Sequence, residues 1–404
     1  MNILNYSKLI WILTTAIYAT FYMITMNVYG RYLLMVMWGV LFVIITLNSH
    51  GKLSLKFDFF HMYMVIIPIF CFFSSLYSLT PIKSIIQGTT IFQIYICVAL
   101  IYLYYRNYNS ITPLLKSIMW GGYIVILYII SSYGISNIEM MLSGNMRMSN
   151  DFLNSNSLGL LAATSGIIGF HFFLKNKRIE LSSLGIPVAV IMVAFSGSRK
   201  ALLVLFLGSL LLGIIDIQKK SKNILKTWIK ILVIIFIISI LGYLLLQHPW
   251  FDMIRMRMEG LLSMLAGEGD ADNSVLLRKK YTFIALDAFT ESPILGWGMG
   301  ASGAILEKYV GWNTYFHNNF VELLASGGIL GFIIYYSLHC YLFYNLFKYR
   351  KYKDLDYPIC IILLFLMTIM DIAMVSYYEK GTYFKLMIFY LYVQILKRRA
   401  KGYE

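Results

Sequence analysis

The fold class of this chain is decided by runs such as Ile231-Leu-Val-Ile-Ile-Phe-Ile-Ile-Ser-Ile-Leu-Gly-Tyr-Leu-Leu-Leu246 and Cys360-Ile-Ile-Leu-Leu-Phe-Leu-Met-Thr-Ile-Met-Asp-Ile-Ala-Met-Val375. The first run carries no charged residue and the second carries only Asp371. Each supplies most of the roughly 20 apolar residues that cross a hydrocarbon core about 30 Å thick. An unpaired backbone polar group in lipid costs several kcal/mol, so such runs are expected to be helical.

The rest of the chain has the same character. Its 404 residues are 59% hydrophobic and 13% charged, with a mean hydropathy of +0.71, whereas a soluble domain is roughly 45–50% apolar and about 25% charged. We therefore predict an all-α polytopic membrane protein, one integral membrane domain over residues 1–404 with about 12 transmembrane helices. The predicted spans are Leu9–Val28, Tyr32–Leu47, Phe59–Leu79, Thr90–Tyr105, Leu114–Tyr133, Leu158–Leu174, Ser182–Phe195, Ala201–Ile217, Ile229–Leu246, Asn318–Phe347, Tyr357–Tyr378 and Tyr383–Leu396. The first predicted span, Leu9–Val28, lacks a small-residue cleavage site, which indicates that it is retained as a helix.

The distribution of Lys and Arg sets the expected orientation. With the N-terminus inside, the predicted cytoplasmic segments carry 21 of the 34 basic residues, and the short outer segments carry 7. This bias predicts that both termini are cytoplasmic. We therefore expect a multi-pass protein of the bacterial inner membrane. The net charge of +15 mostly reflects this topology, so no nucleic-acid partner is predicted.

Four polar segments face outward in this topology: residues 144–156, residues 196–200, the long extracytoplasmic loop 248–316, and the start of the helix that follows. Within the long loop, the pattern predicts a surface-lying amphipathic stretch at Pro249–Leu265 and a helix at Asn273–Thr290. Because all four segments open on one compartment, they could form a shared active site there.

Three of the outward segments carry arginine. Arg147 shares its loop with Asn154 and Asn156, Arg199 and Lys200 end the short turn Ser196-Gly-Ser-Arg-Lys200, and Arg278 lies in the second predicted helix. A planar guanidinium matches phosphate oxygens bidentately, so Arg199 is a candidate to bind a diphosphate. The alternatives are helix capping for the two asparagines and snorkelling to lipid headgroups for the basic side chains.

The stretch His317-Asn-Asn-Phe-Val-Glu322-Leu-Leu-Ala-Ser-Gly327-Gly-Ile-Leu-Gly331 opens a long helix at the outer face. Histidine titrates near neutral pH and suits general base catalysis, although a histidine at a helix start is often only an interfacial residue. Glu322 lies five residues further, about 140° around the helix, so it does not automatically pair with His317. Gly327 and Gly331 form a small-xxx-small pair that favours close helix packing.

These features resemble the bacterial O-antigen ligase and O-antigen polymerase family. That family has a His followed by Asn, Ser or Gln, nine residues, Gly, two residues, and Gly, Thr or Tyr, which His317-Asn318 and Gly328-Ile-Leu-Gly331 fit. Ser196-Gly-Ser-Arg199 is similar to its small-residue-plus-arginine turn, although Lys200 stands where the family more often has a small residue. Arg147 with Asn154 and Asn156 resembles its arginine-and-asparagine loop, and Pro293-Ile-Leu-Gly-Trp-Gly298, preceded by Arg278, resembles its proline-glycine turn. The family-like catalytic region spans residues 147–331.

The resemblance implies an inverting, metal-independent glycosyltransferase that uses an undecaprenyl diphosphate-linked glycan donor. Arg147, Arg199 and Arg278 would stabilise the diphosphate and His317 would act as base. Glu322 and Asn318 would be its orienting partners. Asn154, Asn156 and Lys200 would support the site. No cofactor is expected, and Asp270-Ala-Asp272, the nearest thing to a metal motif in the outer segments, is interpreted as an acidic flexible loop. Partners would be the lipid bilayer, a glycan acceptor, a flippase and a chain-length regulator.

Three functions remain open from the sequence. A polymerase would join lipid-linked repeat units for an O-antigen or capsular polysaccharide. A ligase would move the finished glycan to lipid A-core or another acceptor, and the two share these signatures. A lipid-linked oligosaccharide transporter is the alternative of another class. For a transporter, the best candidate for a charged group within the membrane is Asp371. This residue would lie about 10 Å from the outer end of its predicted span.

Overall fold

The computed structural model describes residues 3–23, 28–49, 57–132, 154–220 and 273–402, together with 229, 247–248, 255–256 and 259. Arg147 and its loop lie outside these residues, as do nearly all of the predicted span Ile229–Leu246 and most of the predicted surface stretch Pro249–Leu265. Asn273–Thr290, the other element predicted in the long loop, is helical and extends to Glu291.

The described residues form thirteen α helices and no strand. In chain order they are α1 (Ile3–Met23), α2 (Val28–Asn48), α3 (Phe59–Ser74), α4 (Pro81–Tyr105), α5 (Thr112–Ser132), α6 (Ser155–Asn176), α7 (Leu181–Ser196), α8 (Arg199–Lys220), α9 (Asn273–Glu291), α10 (Ser302–Val310), α11 (Asn319–Lys348), α12 (Tyr357–Met370) and α13 (Lys380–Ala400). A short 3₁₀ helix, Arg350–Tyr352, follows α11.

The helices agree with the predicted all-α membrane fold. Five of them (α4, α5, α6, α8 and α11) are long and apolar enough to cross a membrane, and α3, α7, α12 and most of α2 are shorter apolar helices. Each predicted span other than Ile229–Leu246 overlaps a helix of the described residues. An all-helical polytopic membrane protein is therefore what the described part of the chain forms.

The described helix ends form two groups. At one end, which we call the His317 end, Lys83 donates to the Asn313 side chain at 3.0 Å and Ser198 donates to Asn156 at 3.1 Å. At the opposite end, the Arg398 guanidinium donates to the backbone carbonyl of Arg106 at 2.7 Å. The described segments that were predicted to face outward therefore lie together.

The opposite end is also tied together by the buried carboxylate of Asp356. It accepts hydrogen bonds from Lys175 at 2.7 Å and Thr112 at 2.8 Å, and it lies 3.0 Å from His171 Nε2. These partners come from α5 and α6, whereas Asp356 directly precedes α12. Asp356 therefore joins three helices at a point where an unpaired charge would be costly.

Two predicted helices need correction, and the first is the span Tyr357–Tyr378. α12 ends at Met370, and residues 371–379 continue as a non-helical segment. Asn319 replaces the missing helical hydrogen bonds: its side-chain oxygen accepts from the backbone N–H groups of Ser376 and Tyr377 at 2.9 and 3.1 Å. Because these polar groups are satisfied, an apolar run can end inside the protein. Asp371 lies beside the start of α11, not within a helix.

The second correction concerns the predicted continuous helix Asn318–Phe347, which is interrupted at Gly328. This residue has φ 62° and ψ −167°, outside the helical region. The proline-glycine turn enters the break: the N–H of Ile329 donates to the Pro293 carbonyl at 2.8 Å, and the N–H of Trp297 donates to the Ala325 carbonyl at 3.0 Å. A Cβ at position 328 would lie 2.3 Å from the Ile294 carbonyl oxygen. Only glycine combines this positive φ with such a close approach.

Candidate active site

His317 lies in the turn that precedes α11 and has a left-handed backbone with φ 59°. Its ring packs 4.0 Å from the Tyr315 ring and lies nearly parallel to the Tyr281 ring, at 6.2 Å and 12°. The Tyr281 hydroxyl in turn accepts a hydrogen bond from the Trp312 indole at 3.0 Å. A non-glycine residue at positive φ is uncommon and often marks a functional position. The aromatic rings hold the imidazole in this strained turn.

The electrostatic surroundings keep the imidazole neutral. Burial, together with the positive charges of Arg278 and Lys200, lowers the pKa of His317 to about 4. No hydrogen bond from another described residue reaches either ring nitrogen. A neutral imidazole can accept a proton, and both nitrogens of His317 can still bind a ligand.

Asn318 and Glu322 act on the backbone around His317, and no hydrogen bond joins either one to the imidazole in the described structure. Asn318 caps α11: its side-chain oxygen accepts from the N–H groups of Phe320 and Val321 at 2.9 and 3.4 Å. The Glu322 carboxylate is 1% exposed and accepts from the Phe316 N–H at 3.1 Å, with a further hydrogen bond from Ser302. Together they determine the course of the chain on both sides of His317.

The hairpin 196–200 brings its two basic residues to the same end. Gly197 has φ 56°, and the Ser198 N–H donates to the Ser196 hydroxyl at 3.2 Å, which makes a tight turn between α7 and α8. Arg199 and Lys200 then open α8. The Lys200 ammonium donates to the backbone carbonyl of Ala373. The hairpin therefore contacts the same 371–379 segment that Asn319 holds beneath His317.

Arg278 comes from α9, and its positive charge acts on both His317 and Tyr315. Lys200 lies in the field of Arg278 and of its neighbour Arg199. The structure thus gathers His317, Arg278, Lys200 and Arg199, which are spread over more than a hundred residues of sequence. A cationic group of this kind beside a neutral base can bind an anion and stabilise a leaving group.

The two asparagines predicted as supporting residues have distinct positions. Asn154 caps α6 by accepting from the Ser157 N–H at 2.9 Å, which is the capping role left open by the sequence. Asn156 accepts from the Ser198 hydroxyl and so ties the start of α6 to the hairpin. Both are therefore connections within the scaffold around the basic residues.

Several residues at this site were not identified from the sequence. Tyr281 and Tyr315 were two of 32 tyrosines, and nothing in their spacing distinguishes them. Asn319 was quoted only as the third residue of the His317 stretch. Asp371 was considered only as the charged group of a transporter, and hydrogen bonds from Tyr336 at 2.9 Å and Ser376 at 2.5 Å hold it beside the start of α11.

Comparison with known proteins supports the family resemblance. Residues 184–336 match the family described as O-Antigen ligase. This range contains the hairpin 196–200, Arg278 and the whole stretch from His317 to Gly331, and it ends before the 371–379 segment. No curated protein matches the chain. Over residues 184–336, the chain is therefore similar to the O-antigen ligase family, in line with the resemblance found in its motifs.

Proposed function

We propose that this chain is an inner-membrane glycosyltransferase that polymerises undecaprenyl diphosphate-linked oligosaccharide repeat units at the extracytoplasmic face. The observation that carries the proposal is the position of His317: a neutral imidazole without a hydrogen-bond partner in the described structure lies in the field of Arg278 and Lys200. One base beside several cations is the minimum that glycosyl transfer from a lipid diphosphate requires.

The proposed step is a direct displacement. The oxygen of an acceptor hydroxyl attacks the anomeric carbon of the donor sugar from the face opposite the diphosphate. The bond from that carbon to the diphosphate oxygen breaks, and undecaprenyl diphosphate leaves with the electron pair. The hydroxyl proton passes to His317. Arg199, Arg278 and Arg147, supported by Lys200, would stabilise the charge on the leaving group.

Donor binding would also activate the base. The free site keeps the pKa of His317 at about 4, which makes the imidazole a weak base. A bound diphosphate adds negative charge beside Arg278 and Lys200 and offsets their effect, so the pKa of His317 rises. A proton acceptor with a pKa nearer neutral is more effective. Proton removal would therefore be favoured only when the donor is in place.

A ligase is the second candidate, because the matching family is described as O-Antigen ligase. The chemistry at His317 would be the same, and only the acceptor would differ. A ligase transfers a finished glycan to lipid A-core or another acceptor, whereas a polymerase transfers it to a second lipid-linked repeat unit.

The test is complementation of a strain that lacks this chain, with lipid-linked glycans analysed by size. The variants are His317→Ala, Arg199→Ala and Arg278→Ala at matched membrane levels. Arg178→Ala serves as the control, because Arg178 is exposed at the opposite end of the protein. We expect single repeat units on undecaprenyl diphosphate to accumulate in the first three strains and normal polysaccharide in the control.

Two other outcomes would change the conclusion. Accumulation of full-length polymer on undecaprenyl diphosphate would identify a ligase. Normal polysaccharide from His317→Ala would overturn the proposed site, and if Asp371→Asn then lost function, a transporter would be the better interpretation.

A further inference from the structure

A cleft lies beneath the basic hairpin, and the proposed reaction leaves it without a role. Its walls come from α1, α6, α8, α12, α13 and the 371–379 segment. The lining side chains that matter here are Tyr18, Tyr22, Thr164, Glu379, Thr382 and Lys385.

The cleft adjoins the His317 site on two sides. Lys200 contacts Ala373, and both the next residue, Met374, and Val204, one turn after Lys200 on α8, line the cleft. On the other side, the charge of Glu379 acts on Tyr315, whose ring lies 4.0 Å from that of His317. A ligand in the cleft would therefore lie next to the proposed base.

Glu379 lines the cleft, and no hydrogen bond of its side chain to another described residue accounts for a carboxylate at this position. It precedes α13, burial raises the pKa of its carboxyl, and Lys385 and Lys380 lower it through their charges. Its carboxylate forms no hydrogen bond or ion pair with any other described residue. Asp371, in the same cleft, differs because Tyr336, Ser376 and Asn319 all donate to it. The Glu379 side chain is part-buried and keeps some contact with solvent, so a ligand in the cleft could supply its hydrogen-bond donors.

The charges separate the cleft from the diphosphate side of the site. The charges of Arg278 and Lys200 act on His317, whereas the described lining of the cleft holds two carboxyl groups, Glu379 and Asp371, beside Lys385. Two carboxylates would repel a diphosphate but can accept hydrogen bonds from the hydroxyl groups of a sugar. The phenols of Tyr18 and Tyr22, with ring centroids 5.4 Å apart, add aromatic surface and hydroxyl groups to the same wall.

We propose that this cleft is the subsite for the acceptor sugar, and that Glu379 accepts a hydrogen bond from an acceptor hydroxyl and orients it toward the donor. The inference rests on the proposed transfer reaction and adds a residue outside the matched range 184–336. The proton still passes to His317, so Glu379 acts on the binding and orientation of the acceptor.

The test measures the KM for the acceptor and the KM for the donor separately. The purified full-length protein in nanodiscs receives the lipid-linked repeat unit as donor, and the repeat-unit oligosaccharide released from its lipid serves as soluble acceptor. KM is measured for each substrate with Glu379→Gln, Glu379→Asp and the control Glu291→Gln, an exposed carboxylate at the end of α9. We expect Glu379→Gln to raise the KM for the acceptor about tenfold or more, as for a lost hydrogen bond to a charged group. The donor KM should change less than about twofold, and Glu379→Asp should recover part of the loss.

A role of Glu379 in folding alone predicts a different pattern, in which the amount of active protein falls and both KM values stay unchanged. That pattern, or an equal change in both KM values, would overturn the inference. If Glu379→Gln does not fold, Tyr22→Phe removes one hydroxyl from the same wall and should also raise only the acceptor KM; an unchanged value would overturn the inference. Absence of transfer by the wild-type protein would reject the proposed function itself, whereas transfer with unchanged acceptor KM in these variants rejects only the acceptor subsite.

Discussion

Asn319 is bonded to the segment after α12 through both its backbone and its side chain. Its N–H donates to the Asp371 carbonyl at 2.7 Å, and its side-chain amide donates to the Asp371 carboxylate at 3.5 Å. The residue two positions earlier is His317. The position of the proposed base therefore depends on a contact between α11 and a segment more than fifty residues further along the chain.

Asn319→Ala should destabilise the protein and weaken transfer. The change leaves the N–H groups of Ser376 and Tyr377 without their acceptor, and each unsatisfied buried group costs about 1–3 kcal/mol. Thermal unfolding in nanodiscs measures the loss, with Asn313→Ala, which removes an exposed amide, as control. Equal unfolding temperatures for the two variants would show that the contact is not needed.

Gly328→Ala should be much more damaging than Gly311→Ala. Both glycines have positive φ, 62° and 82°, so both substitutions strain the backbone by about 1–2 kcal/mol. Only at Gly328 would the new Cβ meet another atom, the Ile294 carbonyl oxygen at 2.3 Å. We expect Gly328→Ala to lose transfer and Gly311→Ala to retain most of it, as measured by polysaccharide yield at matched membrane levels. Similar yields would mean that the turn does not need its close contact with α11.

The neutral state of His317 predicts its reactivity toward diethyl pyrocarbonate, which modifies unprotonated imidazole. Because the pKa of His317 is lowered to about 4, modification should change little between pH 5 and 8. An unperturbed histidine would lose about half its reactivity near pH 6.5. Removal of the Arg278 charge in Arg278→Gln should raise the pKa and move the midpoint upward, whereas Arg178→Gln at the opposite end should not. Mass spectrometry of the His317 peptide measures the extent of modification at each pH. Identical pH profiles for the wild type, Arg278→Gln and Arg178→Gln would contradict the proposed effect of the Arg278 charge on His317.

Asp356→Asn should lower stability at neutral pH, and its effect should disappear in acid. Burial raises the pKa of Asp356, but hydrogen bonds from His171 and Lys175, the Lys175 charge and Thr112 outweigh it, so the pKa lies below the ordinary value. A carboxyl with a depressed pKa in the folded state adds stability above its unfolded pKa of about 3.9 and loses it as the pH falls.

The expected loss for Asp356→Asn at pH 7 is about 3 kcal/mol, because one partner of a buried ion pair is removed. Unfolding temperatures at pH 7 and below pH 4 test the prediction, with the exposed Asp287→Asn as the control. A difference that is independent of pH would show that packing, and not charge, is responsible.

Hydrophobic runs were enough to predict most of the described helices, because a membrane imposes length and backbone satisfaction on each segment separately. The His317 stretch and the arginine turns could be recognised in the same way, since the residue types and spacings are local. The roles of Asn318 and Asn154 as caps are also local, because a cap bonds to N–H groups two or three residues away.

From residue types and local spacing alone, the chain could be identified as a helical membrane protein with a His317 motif and several candidate arginines. Only the tertiary structure decided where α12 ends, where α11 breaks, and that Tyr281, Tyr315, Asp371 and Glu379 surround the same site. Each of these depends on partners far away in the chain: the end of α12 on Asn319, and the break at Gly328 on the turn at Pro293. Such contacts leave no periodic pattern in the sequence, because they are selected by the packing of separate helices and not by the residues next to them.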